Sequence, residues 1–170
     1  HDMTYCLNFA LANRRQMMAE TLGLMGFTAG ECNRLLRETM INENHNHAVV
    51  LGDGTVLHRK GATPAEAGQL GIIPANMRDG IFITRGLGNQ AYLNSASHGA
   101  GRVMSRSQAR KSVKLDKFKA SMQGIVAKVD RNTLDESPFV YKEINKVIAA
   151  QQGIVIEVIN HLKPLVNVKG

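Results

Sequence analysis

Residues able to do chemistry concentrate in one stretch, Ser95-Ala96-Ser97-His98-Gly99-Ala100-Gly101-Arg102. A histidine offers a neutral ring nitrogen near neutral pH, and glycines beside it let backbone N–H groups approach a phosphate that a Cβ would hold off. Two readings stand for these residues alone: a catalytic loop that handles a phosphate, and a surface turn in which the histidine is incidental. The flanking sequence weighs on the first. Arg102, Arg106, Arg110 and Lys114 recur at four-residue spacing, with Lys111, Lys117 and Lys119 alongside. On one continuous helix these like charges would stack and repel by roughly a few tenths of a kcal/mol per pair, so the ladder predicts a polyanion as partner. A solvated basic face is the alternative.

Two further clusters precede the loop. His45 and His47 stand at i and i+2 where the chain enters an apolar run, so a strand would point both to one face, where they could share a metal. His58-Arg59-Lys60-Gly61 ends a second short apolar run. Adjacent cations and a glycine there suit a phosphate, or form a solvated turn. The Walker A pattern is absent and Gly86-Leu87-Gly88 is only a fragment of the dinucleotide fingerprint. Ser95 and Ser97 are near His98 in sequence, which is no evidence for a serine–histidine–acid triad.

The elements that must position these residues follow from apolar periodicity. From Met3 to Met25, Cys6, Leu7, Ala10, Leu11, Met18 and Leu22 recur at helical spacing, ended by Gly23 and Gly26. Thr28-Ala29-Gly30-Glu31 is a capping-box pattern opening a second helix that closes near Ile41. The two predict a helical hairpin with Cys6, Cys32 and the methionines as core residues. Ala48–Leu51 and Thr55–His58 flank Gly52-Asp53-Gly54 as a β-hairpin. Thr63-Pro64-Ala65-Glu66 reads as the start of a short helix, with proline at its first position. Leu70–Pro74 reads as a buried strand stopping at proline, Ala75–Gly80 as a loop and Ile81–Thr84 as a strand. Beyond the basic ladder, Asp130–Pro138 is a polar connection, Tyr141–Ile148 a helix, Ile154–Ile159 a strand and Leu165–Val168 a last strand. The fold class is α+β: a helical hairpin, then a mixed sheet whose glycine-rich loops carry the site.

A length of 170 residues, 44% hydrophobic and 21% charged, fits one soluble domain, residues 1–170, with its own core. Apolar runs are too short for a membrane span, and the N-terminus lacks the pattern of a signal peptide. Two cysteines in apolar patterns suit a reducing, cytoplasmic compartment. A formal net charge of +7 favours an anionic partner such as RNA or nucleotide. The chain opens at His1-Asp2-Met3, already inside a helical pattern, and so reads as a piece of something longer.

Taken together, Asn44-His45-Asn46, His58-Arg59-Lys60-Gly61-Ala62-Thr63-Pro64-Ala65, Gly71-Ile72-Ile73-Pro74, Ser95 to Arg102 with Ser105-Arg106, and Val168-Lys169-Gly170 resemble the RtcB family of RNA-splicing ligases. The likeness runs the length of the chain and covers the C-terminal part of the family's longer members. It implies a GTP- and manganese-dependent ligase that joins RNA 2′,3′-cyclic phosphate or 3′-phosphate ends, such as tRNA halves, to 5′-hydroxyl ends through a histidine–GMP intermediate. In that scheme His98 is the nucleophile and His45 a manganese ligand. Asn46, Asn76, Gly99, Ala100, Gly101, Tyr141 and Lys169 would contact guanylate, and Lys60, Arg102 and Arg106 would contact RNA or phosphate. Two manganese ions serve the complete enzyme, and their other ligands would come from an N-terminal portion absent here. The chain departs from the family pattern at Pro74-Ala75-Asn76-Met77, where many members carry Pro-Gly-Ser-Met, and at Ile81, near a common hydroxyl contact to the base. Two other classes remain as alternatives: a fragment that binds RNA or nucleotide without catalysis, and a hydrolase with a metal on His45 and His47.

Overall fold

The computed structural model of the chain describes residues 2–168. Helix α1 covers Asp2–Leu24 and α2 covers Ala29–Glu38, packed together as the expected hairpin. At their junction the Thr28 hydroxyl accepts the Glu31 N–H, while the Glu31 carboxylate accepts the Thr28 N–H at 2.9 Å. That reciprocal cap satisfies two donors that a helix start leaves without partners. Cys32 is buried against α1, its thiol 3.9 Å from the Ala19 carbonyl. The expectation for α1 itself is corrected: none of its residues is buried, Cys6 is exposed, and so are Met3, Met17, Met18 and Met25. The hydrophobic residues of α1 are spread around the helix rather than gathered on one face, and α2 packs against part of it.

Strands β1 (Asn46–Val50) and β2 (Val56–Lys60) form the predicted antiparallel hairpin, with Asn46 opposite Lys60 and His47 opposite Arg59. Strand β3 (Ala62–Pro64) replaces the helix expected from Thr63. A helix there would reach Gly68 within one turn, too short to offset its nucleation cost, and pairing with a later strand wins instead. Strand β4 (Leu70–Asn76) runs past Pro74 rather than stopping there, pairing with β5 (Gly80–Gly86). A register shift between Pro74 and Asn76 absorbs the missing proline donor. Strand β6 (Ser95–Ser97) pairs with β3, Ala62 opposite Ser97.

The second half supplies short elements around that frame. Helices α3 (Arg106–Ser112) and α4 (Leu115–Ser121) precede a two-residue strand β7 (Val126–Ala127) and the 3-10 turns Arg131–Glu136 and Pro138–Val140. Helix α5 (Ile144–Ala149) begins later than the apolar pattern suggests, with Tyr141 extended and outside it. Strand β8 (Ile156–Leu162) closes an antiparallel sheet in the order β4-β5-β8, and β9 (Val166–Asn167) lies parallel to β7. One core cluster joins Ile73, Phe82, Ala96, Ala100, Ile144 and Ile156; a second joins Met77, Phe118, Met122 and Leu134. Ala100 lies in the first, so the glycine-rich loop is anchored in the core. No helix among the described residues is long and apolar enough to cross a membrane.

Candidate functional site

The His98 loop is built on three supports. Its ring packs on Gly61: a Cβ there would lie 3.3 Å from His98 Cδ2, and Gly61 holds φ +73°. Gly99 faces the Pro74 carbonyl, 3.1 Å from where its own Cβ would be, and the Ala100 N–H donates to that carbonyl at 3.1 Å. The Gly101 carbonyl accepts the Lys142 N–H at 2.9 Å. Upstream, the Gln151 side chain accepts the Ser97 N–H and donates to the Ser97 hydroxyl, both at 2.8 Å. Small residues stand at 99–101 for three reasons: the Pro74 carbonyl crowds Gly99, Ala100 is buried in the core, and Gly101 holds φ +73°.

Arg59 delivers the strand that leads into this loop. It is 7% exposed, donates to the Ser95 hydroxyl at 2.9 Å and the Leu93 carbonyl at 3.3 Å, and pairs with Glu66 at 3.8 Å. Leu93 and Asn94 both sit at positive φ, so Arg59 clamps a turn that costs backbone energy. The phosphate role open to Arg59 in the sequence is therefore replaced by a structural one. Lys60 and Asn46 are exposed and paired across the hairpin edge.

A cavity of about 750 Å³ opens beside His98, lined by Asn76, Gly99–Arg102, Arg106, Glu136, Tyr141, Lys163 and Asn167 among others. His98, Asn76, Gly99, Ala100, Gly101, Tyr141, Arg102 and Arg106, singled out from sequence, thus meet at one place. Asn46, Lys60 and His45 do not line the cavity. His45 instead stacks on His98, ring centroids 5.1 Å apart and planes within 10°. Burial holds the His98 imidazole below the ordinary histidine range, and the neighbouring His45 adds to that, so the ring is neutral and keeps a lone pair. The Asn76 amide donates to Asp79 at 2.8 Å and accepts the Arg78 and Asp79 N–H groups, which fixes the β4–β5 turn at the cavity rim. Lys169 lies outside the described residues.

The basic ladder is not one helix face. Arg102 precedes α3, and Lys114 follows its end as the first residue before α4. Its arginines converge instead on two carboxylates that the sequence reading passed over as a polar connection. Asp135, 4% exposed, takes Arg110 at 3.3 Å and Arg106 at 3.7 Å; Glu136 takes Arg106 at 3.9 Å and Arg102 at 4.0 Å. The expected repulsion is relieved inside the protein, and the arginines are held beside the cavity. Tyr141 completes the cluster. Its hydroxyl donates to Glu136 at 2.8 Å and accepts from Arg102 at 3.3 Å, whose guanidinium lies 5.2 Å over the ring. Burial and the Glu136 carboxylate push the phenol up to about 12. An adjacent Asp-Glu pair in a basic chain was the only sequence signal for this arrangement.

Manganese fits these residues poorly by themselves. His45 supplies one exposed imidazole, and no group of three or more candidate ligands occurs among the described residues, whereas the ion asks for about six nitrogen or oxygen donors. His47 is a poor second ligand. It stands opposite Arg59 in the hairpin register, and that guanidinium repels a second cation there, although burial and the same charge lower its pKa and so favour the neutral ring.

The profile of the tRNA-splicing ligase RtcB family matches residues 1–170. This chain belongs to the RtcB family. The RNA-splicing ligase RtcB of Escherichia coli is 40% identical over 168 residues, covering 95% of this chain and 41% of that protein. The Mycobacterium tuberculosis RNA-splicing ligase RtcB is 31% identical over 193 residues, covering 99% of this chain and 44% of that protein. The tRNA-splicing ligase RtcB of Pyrobaculum aerophilum is 30% identical over 198 residues, covering 99% and 41%. The chain thus spans less than half the length of these RtcB relatives.

Proposed function

We propose that this chain is the guanylate-carrying part of an RNA ligase that joins a 2′,3′-cyclic phosphate or 3′-phosphate end to a 5′-hydroxyl end at the expense of GTP. The observation that carries the reading is the neutral, half-buried His98 on the wall of a cavity that also holds Arg102, Arg106 and Tyr141. The imidazole lone pair attacks the α-phosphorus of GTP, the bond to the β-phosphate oxygen breaks and pyrophosphate leaves. The ring nitrogen then carries GMP. An RNA 3′-phosphate oxygen next attacks that phosphorus and frees the histidine, and a cyclic end must first be hydrolysed to the open phosphate. The 5′-hydroxyl finally attacks the activated RNA phosphate, loses its proton and expels GMP.

This chain's residues meet the demands of those steps. Gly99 to Gly101 let phosphate oxygens reach the backbone, Arg102 and Arg106 offer fixed positive charge, and Tyr141 walls the guanine. Asn76 shapes the rim, Asn46 and Lys60 stand at the hairpin edge for guanylate and RNA phosphate, and Lys169 is assigned to the base. Manganese would supply charge neutralisation at the phosphates; His45 is its ligand from this chain, and the others would come from the remainder of a full-length protein. The names of the relatives, which include RNA-splicing and tRNA-splicing ligases, support RNA with broken ends as the substrate class.

The test is incubation of full-length protein with manganese and GTP labelled at the α-phosphate. The expected product is protein bearing an acid-labile label that is lost in His98→Ala. A label that survives this substitution sinks the assignment.

A further inference from the structure

Behind Tyr141 lies a second cavity, of about 630 Å³, which shares Asn76, Tyr141 and Lys163 with the His98 cavity. Phe139, Lys142 and His161 form other parts of its wall. The carboxylates that reach it are already taken. Asp79 holds Arg78 at 2.7 Å and Glu143 holds Lys146 at 2.9 Å. Lys142 and Lys163 make no ion pair among the described residues, so the cavity carries uncompensated positive charge. Arg102 and Arg106, by contrast, are committed to Glu136 and Asp135.

Lys142 ties this cavity to the phosphate loop. Its side chain runs along Gly101, with Nζ 4.0 Å and Cδ 3.8 Å from where a Cβ on that glycine would be. Phe139 contributes an aromatic side chain that is 43% exposed. Free ammonium groups beside an exposed aromatic ring, in a cavity large enough for one nucleotide, are the means by which proteins hold single-stranded nucleic acid without reading its sequence.

We propose that this second cavity binds the nucleotide preceding the terminal one of a single-stranded RNA 3′-phosphate end, its phosphate between Lys142 and Lys163 and its base against Phe139. The inference rests on the ligase reading, which puts the reacting phosphate at His98. Tyr141 then stands between two neighbouring nucleotide-sized recesses, with guanylate on one side and the RNA strand on the other.

The experiment compares binding of two RNA probes with 3′-phosphate ends, a mononucleotide and a single-stranded pentanucleotide, to full-length protein and its Phe139→Ala and Lys142→Ala variants. Both substitutions are expected to weaken the pentanucleotide about tenfold more than the mononucleotide, and Phe139→Tyr and Lys142→Arg to restore it. Salt separates the two roles. Lys142→Ala is expected to reduce the slope of log affinity against log salt by about 0.7, the share of one single-strand phosphate contact, while Phe139→Ala leaves it unchanged. A folding defect would weaken both probes alike, without restoration, and overturns the proposal. Labelling of His98 from GTP is measured in parallel: absence of label in the wild type overturns the ligase reading and this site together. Normal labelling with pentanucleotide affinity indifferent to both substitutions overturns this site alone.

Discussion

The imidazole of His98 rests on the bare α-carbon of Gly61, whose φ of +73° and 3.3 Å clearance leave no place for a side chain. The ring proposed as nucleophile is therefore positioned by a residue that has no side chain. Gly61→Ala should cost about 1–2 kcal/mol of stability from the left-handed backbone alone. It should also push the ring toward His45, which stacks on its other side. The expected outcome is a severalfold slower labelling of His98 in protein that remains folded by circular dichroism, since the ring must give by a few tenths of an ångström and so loses alignment for attack. Labelling at the wild-type rate would show that the ring is held by other contacts.

Arg59 separates two meanings of a basic motif. Although it neighbours Lys60, it is buried and holds the turn at Leu93 and Asn94 that precedes the His98 loop. Arg59→Ala removes the buried clamp and leaves the Leu93 carbonyl and the Ser95 hydroxyl joined to each other at 2.8 Å, and should destabilise the protein by about 2–4 kcal/mol in denaturant unfolding. Lys60→Ala, at an exposed strand end, should change stability by less than about 0.5 kcal/mol. Comparable losses in the two variants would contradict the division.

The contrast shows what the residues could and could not reveal in advance. The capping box at Thr28, the Asp53 turn and the small residues around His98 are local, and local rules place them correctly. The basic ladder misled because spacing of four residues implies a helix face only if the helix continues, and α3 ends at Ser112. Its true partners, Asp135 and Glu136, are more than twenty residues away in sequence, a distance across which periodicity carries no information. Likewise the apolar residues of α1 predicted its helical state but not its burial: they are spread around the helix, and burial depends on what packs there. Thr63-Pro64 favours a helix start locally, but pairing with Ser95 and Ala96 decided the outcome.

Tyr141 and Glu136 should report on each other. The phenol is pushed up to about 12, first by burial and then by the carboxylate it donates to. Glu136→Gln removes the negative charge and keeps an acceptor, so the phenol should ionise at lower pH yet stay above an ordinary tyrosine because its burial persists. Ultraviolet difference titration, with Tyr141→Phe subtracted to isolate the phenol, measures this. The same variant frees Arg102 and Tyr141 to shift, and KM for GTP should rise about three- to tenfold. An unmoved phenol would mean that the hydrogen bond at 2.8 Å does not govern its proton.

Asp135 gives the pH dependence with a definite sign. Burial raises its carboxyl, but the Arg110 hydrogen bond, its own backbone and the charges of Arg110 and Arg106 outweigh that and hold it below the ordinary aspartate value. A carboxyl depressed in the folded state stabilises the fold at every pH above its unfolded pKa, about 3.9, and loses that contribution as pH falls through the folded value. Asp135→Asn should therefore cost about 1–3 kcal/mol near pH 7, the worth of charge-assisted hydrogen bonds, and progressively less than that relative to wild type below pH 4. Urea unfolding of both proteins at neutral and acid pH measures the gap. A gap that stays constant, or widens toward acid, would show that the arginines gain nothing from the ionised carboxylate. Arg102 and Arg106 would then be held beside His98 by Glu136, Tyr141 and the backbone carbonyls of Met104 and Asp135.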